Sequence, residues 1–316
     1  MKLAQTDAAG RAGAKSVAEP RLTGQDLLRL ELFPPAPDLA PFVTTFFRMR
    51  CDEATIRDVQ PSSIGIMATM ARGGGLMHFL DGRSEPSQPF TLQTPTSAAA
   101  RMDVCGPWHV FGATLAPLGW AALTGLSAAE HGNHIYDGAK VLGPVLSEAS
   151  RAVAEDFDTL SSEEMIELYS AAIRASARPV RAPHARFVQT VAQWLAESLS
   201  PVIAELEHRC GYGARQIQRL ADRYFGLPPT ALARKYRALR AAVLLSRPDV
   251  TADQIAAVED QFYDQSHMIR EIRLFAGRTP ARIADPDAPY LTTLMDLRHF
   301  RGIGPRMAPI PRDLRA

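Results

Sequence analysis

VIAELEHRCGYGARQIQRLADRYFG (202–226) and QIAAVEDQFYDQSHMIREIRLFAG (254–277) share one plan: a short apolar helix, a tight turn, and a second helix with Arg, Gln and His on its outer side. In the first copy Ile203, Ala204 and Leu206 supply the apolar side of the leading helix. Cys210-Gly211-Tyr212 is the turn, where glycine tolerates the positive φ that a sharp helix-to-helix reversal needs. Gly213 is a permissible N-cap, weaker than serine. In the second helix Ile217, Leu220, Ala221 and Tyr224 fall on the buried side. Arg215, Gln218, Arg219 and Asp222 recur at i, i+3, i+4 and i+7 and form one outward stripe. Asp222 is expected to orient Arg219 or to stay clear of any anionic partner.

A joining helix starts at Pro228-Pro229, with Pro229 suited to the first helical position. Leu232, Tyr236, Leu239 and Val243 make its buried ridge, and SRPD (246–249) ends it. Arg234, Lys235, Arg237 and Arg240 lie off that ridge and are read as outward cations, Lys235 in particular. In the second copy Thr251 and Gln254 have capping-box spacing, and Ile255, Ala256 and Val258 face inward. Asp264 is the next N-cap, and Met268, Ile272 and Phe275 are the buried face. Gln265, Ser266, His267 and Arg270 stay on the outer side, Gly277 fits C′, and Thr279-Pro280 opens a last short helix.

Charge gives these stripes a direction. The net charge of +1 conceals 19 basic and 14 acidic residues in 184–316, against 16 and 20 before it. Between Arg209 and Arg240 there are eight basic residues and one acid. Such a local excess suits phosphate contact, and arginine is the usual bidentate reader of guanine. A bias toward arginine across the chain, which has only four lysines, is the bland alternative. Any amphipathic helix has a polar outer stripe; the repetition about fifty residues apart favours helices that enter the major groove of duplex DNA. Arg215, Gln218, Arg219, Arg223, Lys235, Gln265, Ser266, His267 and Arg270 are the candidate contacts, Lys235 to phosphate alone.

At 316 residues the chain exceeds one comfortable core, so two domains are expected. Residues 1–27 read as a disordered leader without the apolar segment of a secretory signal. No apolar run reaches the roughly 20 residues of a membrane span. Cys51, Cys105 and Cys210 show no metal or CxxC spacing, which fits buried, reduced thiols in a cytoplasm. From residue 28 the chain breaks into short apolar runs, LELF, FVTTFFRM, SIGIMATM, GLMHFL, PFTLQT, ARMDV and HVFGATL, with turns at RGGG (72–75) and LDGR (80–83). That spacing predicts an antiparallel barrel or sandwich. Helical periods follow, first over VLGPVLSEASRAVAEDF (141–157), then from Ser161, whose spacing to Glu164 is a capping box. The expected organisation is a β-rich domain over 28–177 whose trailing helices close it or supply a dimer face, a linker over 178–184, a DNA-binding domain over 185–285 and a tail over 286–316. The tail is expected either to pack on the DNA-binding domain through Leu291, Leu294 and Leu297 or to be partly disordered.

Other chemistry is poorly supported by the residues. His78, His109, His131 and His134 lack a metal-ligand pattern, so no metal and no cofactor is expected. Gly73, Gly74 and Gly75 precede no GK[ST] and make no phosphate loop. Trp108, Trp120 and Phe111 are candidates to line an effector pocket, though such aromatics more often form plain core.

FYDQSHMIREIRLFAGRTPARI (262–283) and GYGARQIQRLADRYFGLPPTALARKYRALRAAVLL (211–245) resemble the AraC/XylS family of bacterial transcription regulators, over about residues 185–285. The resemblance implies an all-helical domain whose two recognition helices enter successive major-groove segments on one face of a double-stranded operator. By matching position Arg215, Gln218 and Arg219, then Gln265, Ser266, His267 and Arg270, are the contacts to bases or backbone. It further implies activation through RNA polymerase more than repression, and an N-terminal half that binds a small effector or forms a homodimer. FPPAPDLAPFVTTFFRMR (33–50) and GATLAPLGWAALTG (112–125) resemble a sensor half with a cupin-like β-fold. The expected fold class is therefore α+β in two domains. Two departures stand out: no glycine precedes Phe262 in the second turn, and Gly213-Ala214 stand where Ser and Pro are common. An enzyme or DNA-repair protein whose C-terminal part only localises it remains the alternative.

Overall fold

Strand-length runs become strands, but two pairs of runs merge into single long strands and three short strands lie outside the quoted runs. The computed structural model describes residues 28–247, 249–283 and 289–295. Within them β1 (Leu28–Phe33), β2 (Val43–Cys51), β3 (Thr55–Gln60), β4 (Ile66–His78), β5 (Ser84–Pro86), β6 (Phe90–Gln93), β7 (Ala100–Leu115) and β8 (Ile135–Asp137) form an eight-stranded antiparallel sheet. The order is β1-β2-β7-β4-β6-β8, with β3 on β7 and β5 on β4. The expected turn at RGGG is not one: Arg72 to Gly75 lie inside β4, which pairs with β7 through register shifts on either side of Arg72. Gly73 has φ +70°, and a Cβ there would strike the backbone of Pro107 and Cys105. These glycines serve a close strand approach with a bulge. ARMDV and HVFGATL likewise merge into the single strand β7. β3 escaped the apolar pattern because its inward positions include Asp58 and Gln60, both buried.

The two faces of the sheet bury different partners. Phe46, Met67, Phe111 and Leu115 pack beneath α2 (Gly138–Leu142), α3 (Pro144–Glu155) and α4 (Ser162–Ser176). There the Thr69 hydroxyl meets those of Ser150 and Tyr169. The single helical run expected over 141–157 breaks at Gly143, φ +85°, while the Ser161–Glu164 capping box is present. Met49, Met102, Val104, Trp108 and Val110 turn to the other face and wall a cavity. Trp108 is part of that wall, whereas Trp120 and Phe111 are core on the opposite face. Cys51 is buried but Cys105 is exposed, contrary to the expectation of buried thiols.

After α1 (Pro117–Thr124), which follows β7, the C-terminal helices begin with α5 (Ala182–Glu197), inside the stretch read as linker. They continue with α6 (Ile203–Cys210), α7 (Ala214–Phe225), α8 (Pro229–Leu245), α9 (Ala252–Glu259), α10 (Gln265–Ala276) and α11 (Pro280–Ile283). Their shared core gathers Trp194, Leu206, Leu220, Tyr236, Val243 and Ile272. The short helices bury less than expected: Ala204 and Ala256 are exposed and Ile203 and Ile255 only half-buried, leaving Leu206 and Val258 as their anchors. No helix among the described residues is long and apolar enough to cross a membrane.

The last element, α12 (Pro289–Met295), corrects the expected docking of the tail. Leu291 enters the helical core, but Tyr290 and Leu294 pack on the sheet. The Tyr290 ring lies 5.6 Å from Trp108, and its hydroxyl donates to Gln60 Oε1 at 2.5 Å. Asp58 accepts the Tyr290 backbone N–H at 3.0 Å and an Arg278 N–H at 2.7 Å. Leu297 and the leader 1–27 lie outside the described residues.

Candidate nucleic-acid interface

The first helix-turn-helix unit is α6 and α7 around Gly211, which adopts φ +62° as the turn requires. Gly213 caps α7 without a side-chain bond, so the first N–H groups of that helix have no capping oxygen. Ile217, Leu220, Ala221 and Tyr224 are buried. Arg215, Gln218, Arg219 and Arg223 are exposed, and among the described residues none of these arginines has an ion-pair partner. Asp222 is half-buried and makes no ion pair with Arg219; burial raises its carboxyl pKa.

In the second unit the missing glycine is replaced by a longer turn. Asp260, Gln261 and Phe262 continue in helical hydrogen bonds to Ala256, Val258 and Glu259, so no left-handed residue is needed. Asp264 then caps α10, accepting the His267 N–H at 2.6 Å. Gln265, Ser266 and Arg270 are exposed. His267 is half-buried, its Nε2 3.1 Å from Glu271, so it faces the protein as much as a ligand. Tyr263, 92% exposed beside the start of α10, was not anticipated; a bulky residue in a turn gives no periodic signal.

Glu271 organises the second unit. It is 2% exposed and accepts from Arg234 at 2.6 Å and Arg237 at 2.7 Å, both on α8. Burial acts to raise its carboxyl pKa, but the hydrogen bonds from Arg237 and Arg234 outweigh it and hold the value below the ordinary one. Arg237 also stacks over Phe262 at 4.6 Å, tying the rebuilt turn to α8.

The joining helix therefore corrects the expected phosphate contacts. Arg234 and Arg237 are engaged by Glu271, and Arg240 is fully buried, donating to the carbonyls of Ser198 and Leu195. Lys235, expected to meet phosphate, is 3% exposed. Its Nζ donates to the carbonyls of Ser63 at 3.1 Å and Thr96 at 3.0 Å, at the wall of the sheet's cavity. Burial with no carboxylate partner pushes its pKa down to about 7. In this arrangement Lys235 joins α8 to the β-domain and is closed to a phosphate.

The β-domain also holds both outward helices at their C-terminal ends. The last carbonyls of a helix lack intrahelical donors. Ala128 and Ala129 N–H groups donate to Arg223 and Asp222 of α7, at 2.8 and 3.1 Å. Those of Ser62 and Ala99 donate to Phe275 and Leu274 of α10, each at 2.8 Å. Gly277, φ +90°, abuts Val59, where a Cβ would land on the side chain. The histidines are structural: His109 binds Asp52 at 2.7 Å, His78 binds Asp103 at 3.0 Å, and His134 binds Glu85 at 2.8 Å. Among the described residues no cluster of three or more His, Cys, Asp or Glu is arranged to hold a metal ion.

Residues 206–285 match the family described as a helix-turn-helix domain. No curated protein matches the chain in sequence. Among solved structures, ToxT from Vibrio cholerae is similar over 84% of this chain and 98% of its own, at 9% identity and TM-score 0.44. The AraC-like transcriptional activator CuxR is similar over 68% of this chain and 86% of its own, at 13% identity and TM-score 0.30. The matched span starts within α6 and takes in the rest of the first helix-turn-helix unit and all of the second, with α7 and α10 as their second helices. Residues 206–285 of this chain thus form a helix-turn-helix domain, with α7 and α10 presented on its outer side.

Proposed function

We propose that the protein is a sequence-specific activator that reads two major-groove segments of a duplex operator with α7 and α10. The observation that carries this reading is the outward face of α7. Arg215, Gln218 and Arg219 are exposed and free of ion pairs among the described residues, on a helix whose other side is locked into the core. Arginine bonds guanine O6 and N7 in bidentate fashion, and Gln pairs with adenine N6 and N7. Gln265, Ser266 and Arg270 are the counterparts on α10, with His267 in a shared role. The first unit dominates base reading, because α7 presents Arg215, Gln218 and Arg219 as one exposed stripe while on α10 His267 is turned toward Glu271. The cavity of the β-domain is the seat of a small apolar effector: Leu30, Phe47, Met49, Met70 and Trp108 wall it, and Lys235 is its charged group. Its occupant acts on DNA binding because the Ser62–Ser63 segment in its wall also holds Lys235 and Phe275.

Selection of genomic fragments that bind the purified chain supplies the operator. On it, Arg219→Ala is expected to relax preference at one base pair by about 1–3 kcal/mol. Titrations against all four base pairs at each position check this. An equal loss on every sequence makes Arg219 a phosphate contact.

A further inference from the structure

The matched family begins at residue 206, yet the basic surface around α7 extends before it. Arg178, Arg181 and Arg186 are exposed on the segment that enters α5. His184, in the first turn of that helix, bonds the Tyr224 hydroxyl of α7 at 2.7 Å, with ring centroids 5.7 Å apart. This contact fixes the start of α5 beside the C-terminal half of α7. Burial lowers the His184 pKa, and the fields of Arg181, Arg223 and Arg219 lower it further. Arg181 caps α5 three residues before His184, Arg223 lies against the Tyr224 ring and Arg219 is one turn earlier on α7, so the His184–Tyr224 bond brings these three arginine positions from two elements into one neighbourhood. None of the three has an ion-pair partner among the described residues, whereas Arg209 on α6 is neutralised by Glu197 and Glu205. Arg215, Arg219 and Arg223 follow one another at four-residue steps, a spacing at which like charges repel. A line of uncompensated cations beside a recognition helix has its natural complement in a polyanion, and duplex DNA carries about one charge per 1.7 Å of axis.

We propose that the segment 178–186 is a second DNA-contacting surface, in which Arg181, together with Arg223, grips the phosphodiester backbone at the rim of the groove that α7 enters. The inference rests on the groove-reading role of α7. Phosphate contacts fix register and add affinity without sequence preference. Arg181 therefore differs from Arg219, whose loss relaxes one position.

The test is fluorescence anisotropy of the full chain on its selected fragment and on a scrambled duplex, over a series of salt concentrations. Arg181→Ala is expected to reduce the slope of log K against log salt by about one and to weaken both duplexes equally. Arg181→Lys keeps the slope, since a point charge suffices at a phosphate. Melting temperature stays at the wild-type value, because Arg181 is exposed. An Arg181→Ala chain with the wild-type slope overturns the inference and leaves the reading of α7 intact. A loss confined to the selected fragment overturns it too, by making Arg181 a base reader. Wild-type protein with no salt-dependent affinity for either duplex overturns the DNA reading and this inference together.

Discussion

Glu271→Ala is expected to destabilise the protein by about 3–5 kcal/mol and to abolish specific DNA binding, the largest single loss on the interface. The carboxylate is 2% exposed and draws Arg234, Arg237 and His267 together from α8 and α10. Removing it leaves Arg237, itself only 15% exposed, as a charge without its counter-ion beneath the second recognition helix. Breaking a buried pair from one side costs far more than the pair contributes, because the surviving charge keeps its desolvation penalty. α10 loses its register on α8, and with it the placement of Gln265, Ser266 and Arg270. Urea unfolding monitored by two probes gives the stability. A loss below about 1 kcal/mol would mean that Glu271 behaves as a surface pair.

Lys235→Met is expected to have the opposite sign. The ammonium is buried against carbonyls alone, and its pKa falls to about 7 from an unfolded value of 10.5. Between those values the unfolded chain binds more protons, so stability rises with pH, by up to about 1.4 kcal/mol per unit. The contribution is fully present above the unfolded value and fully lost once pH falls below the folded one. Methionine removes the slope and leaves no carbonyl without a donor. Ser63 O still accepts the Thr96 N–H at 3.1 Å, and Thr96 O still accepts the Ser62 hydroxyl at 2.5 Å. The variant therefore melts above wild type at pH 7 and below, and the two curves converge as pH approaches 10. Parallel curves would show that Lys235 is solvated in the folded protein.

Lys235, expected outward, and Glu271, for which nothing was expected, both stand where local signals conflict. Lys235 follows Leu232 by three and precedes Leu239 by four; Glu271 stands three after Met268 and four before Phe275. Both fill the i+3 position of an apolar i, i+3, i+4, i+7 stripe, so periodicity points inward while charge suggests outward. Tertiary partners settle the conflict, carbonyls of the β-domain for one and arginines of α8 for the other. The tandem helix-turn-helix plan was legible throughout, because caps, the Gly211 turn, Gly277 and the buried stripes are local features. The β-domain was legible only as a class. Its longest strands run through Gly73 to Gly75 and through Gly106-Pro107, residues that ordinarily end a strand. β3 hides behind Asp58 and Gln60, whose partners Arg278 and Tyr290 lie more than two hundred residues away. No window along the chain contains that pairing.

The central claim is that α7 and α10 enter the major groove together, with α7 carrying most of the base reading. Methylation protection of guanine N7 on the selected operator tests it most directly, since that atom lies in the major groove. Wild-type protein is expected to protect two clusters about one helical turn, roughly 10 base pairs, apart on one DNA face. Arg215→Ala with Arg219→Ala should erase one cluster entirely, and Arg270→Ala should thin the other. A single cluster, or two that survive loss of Arg215 and Arg219, would contradict the account.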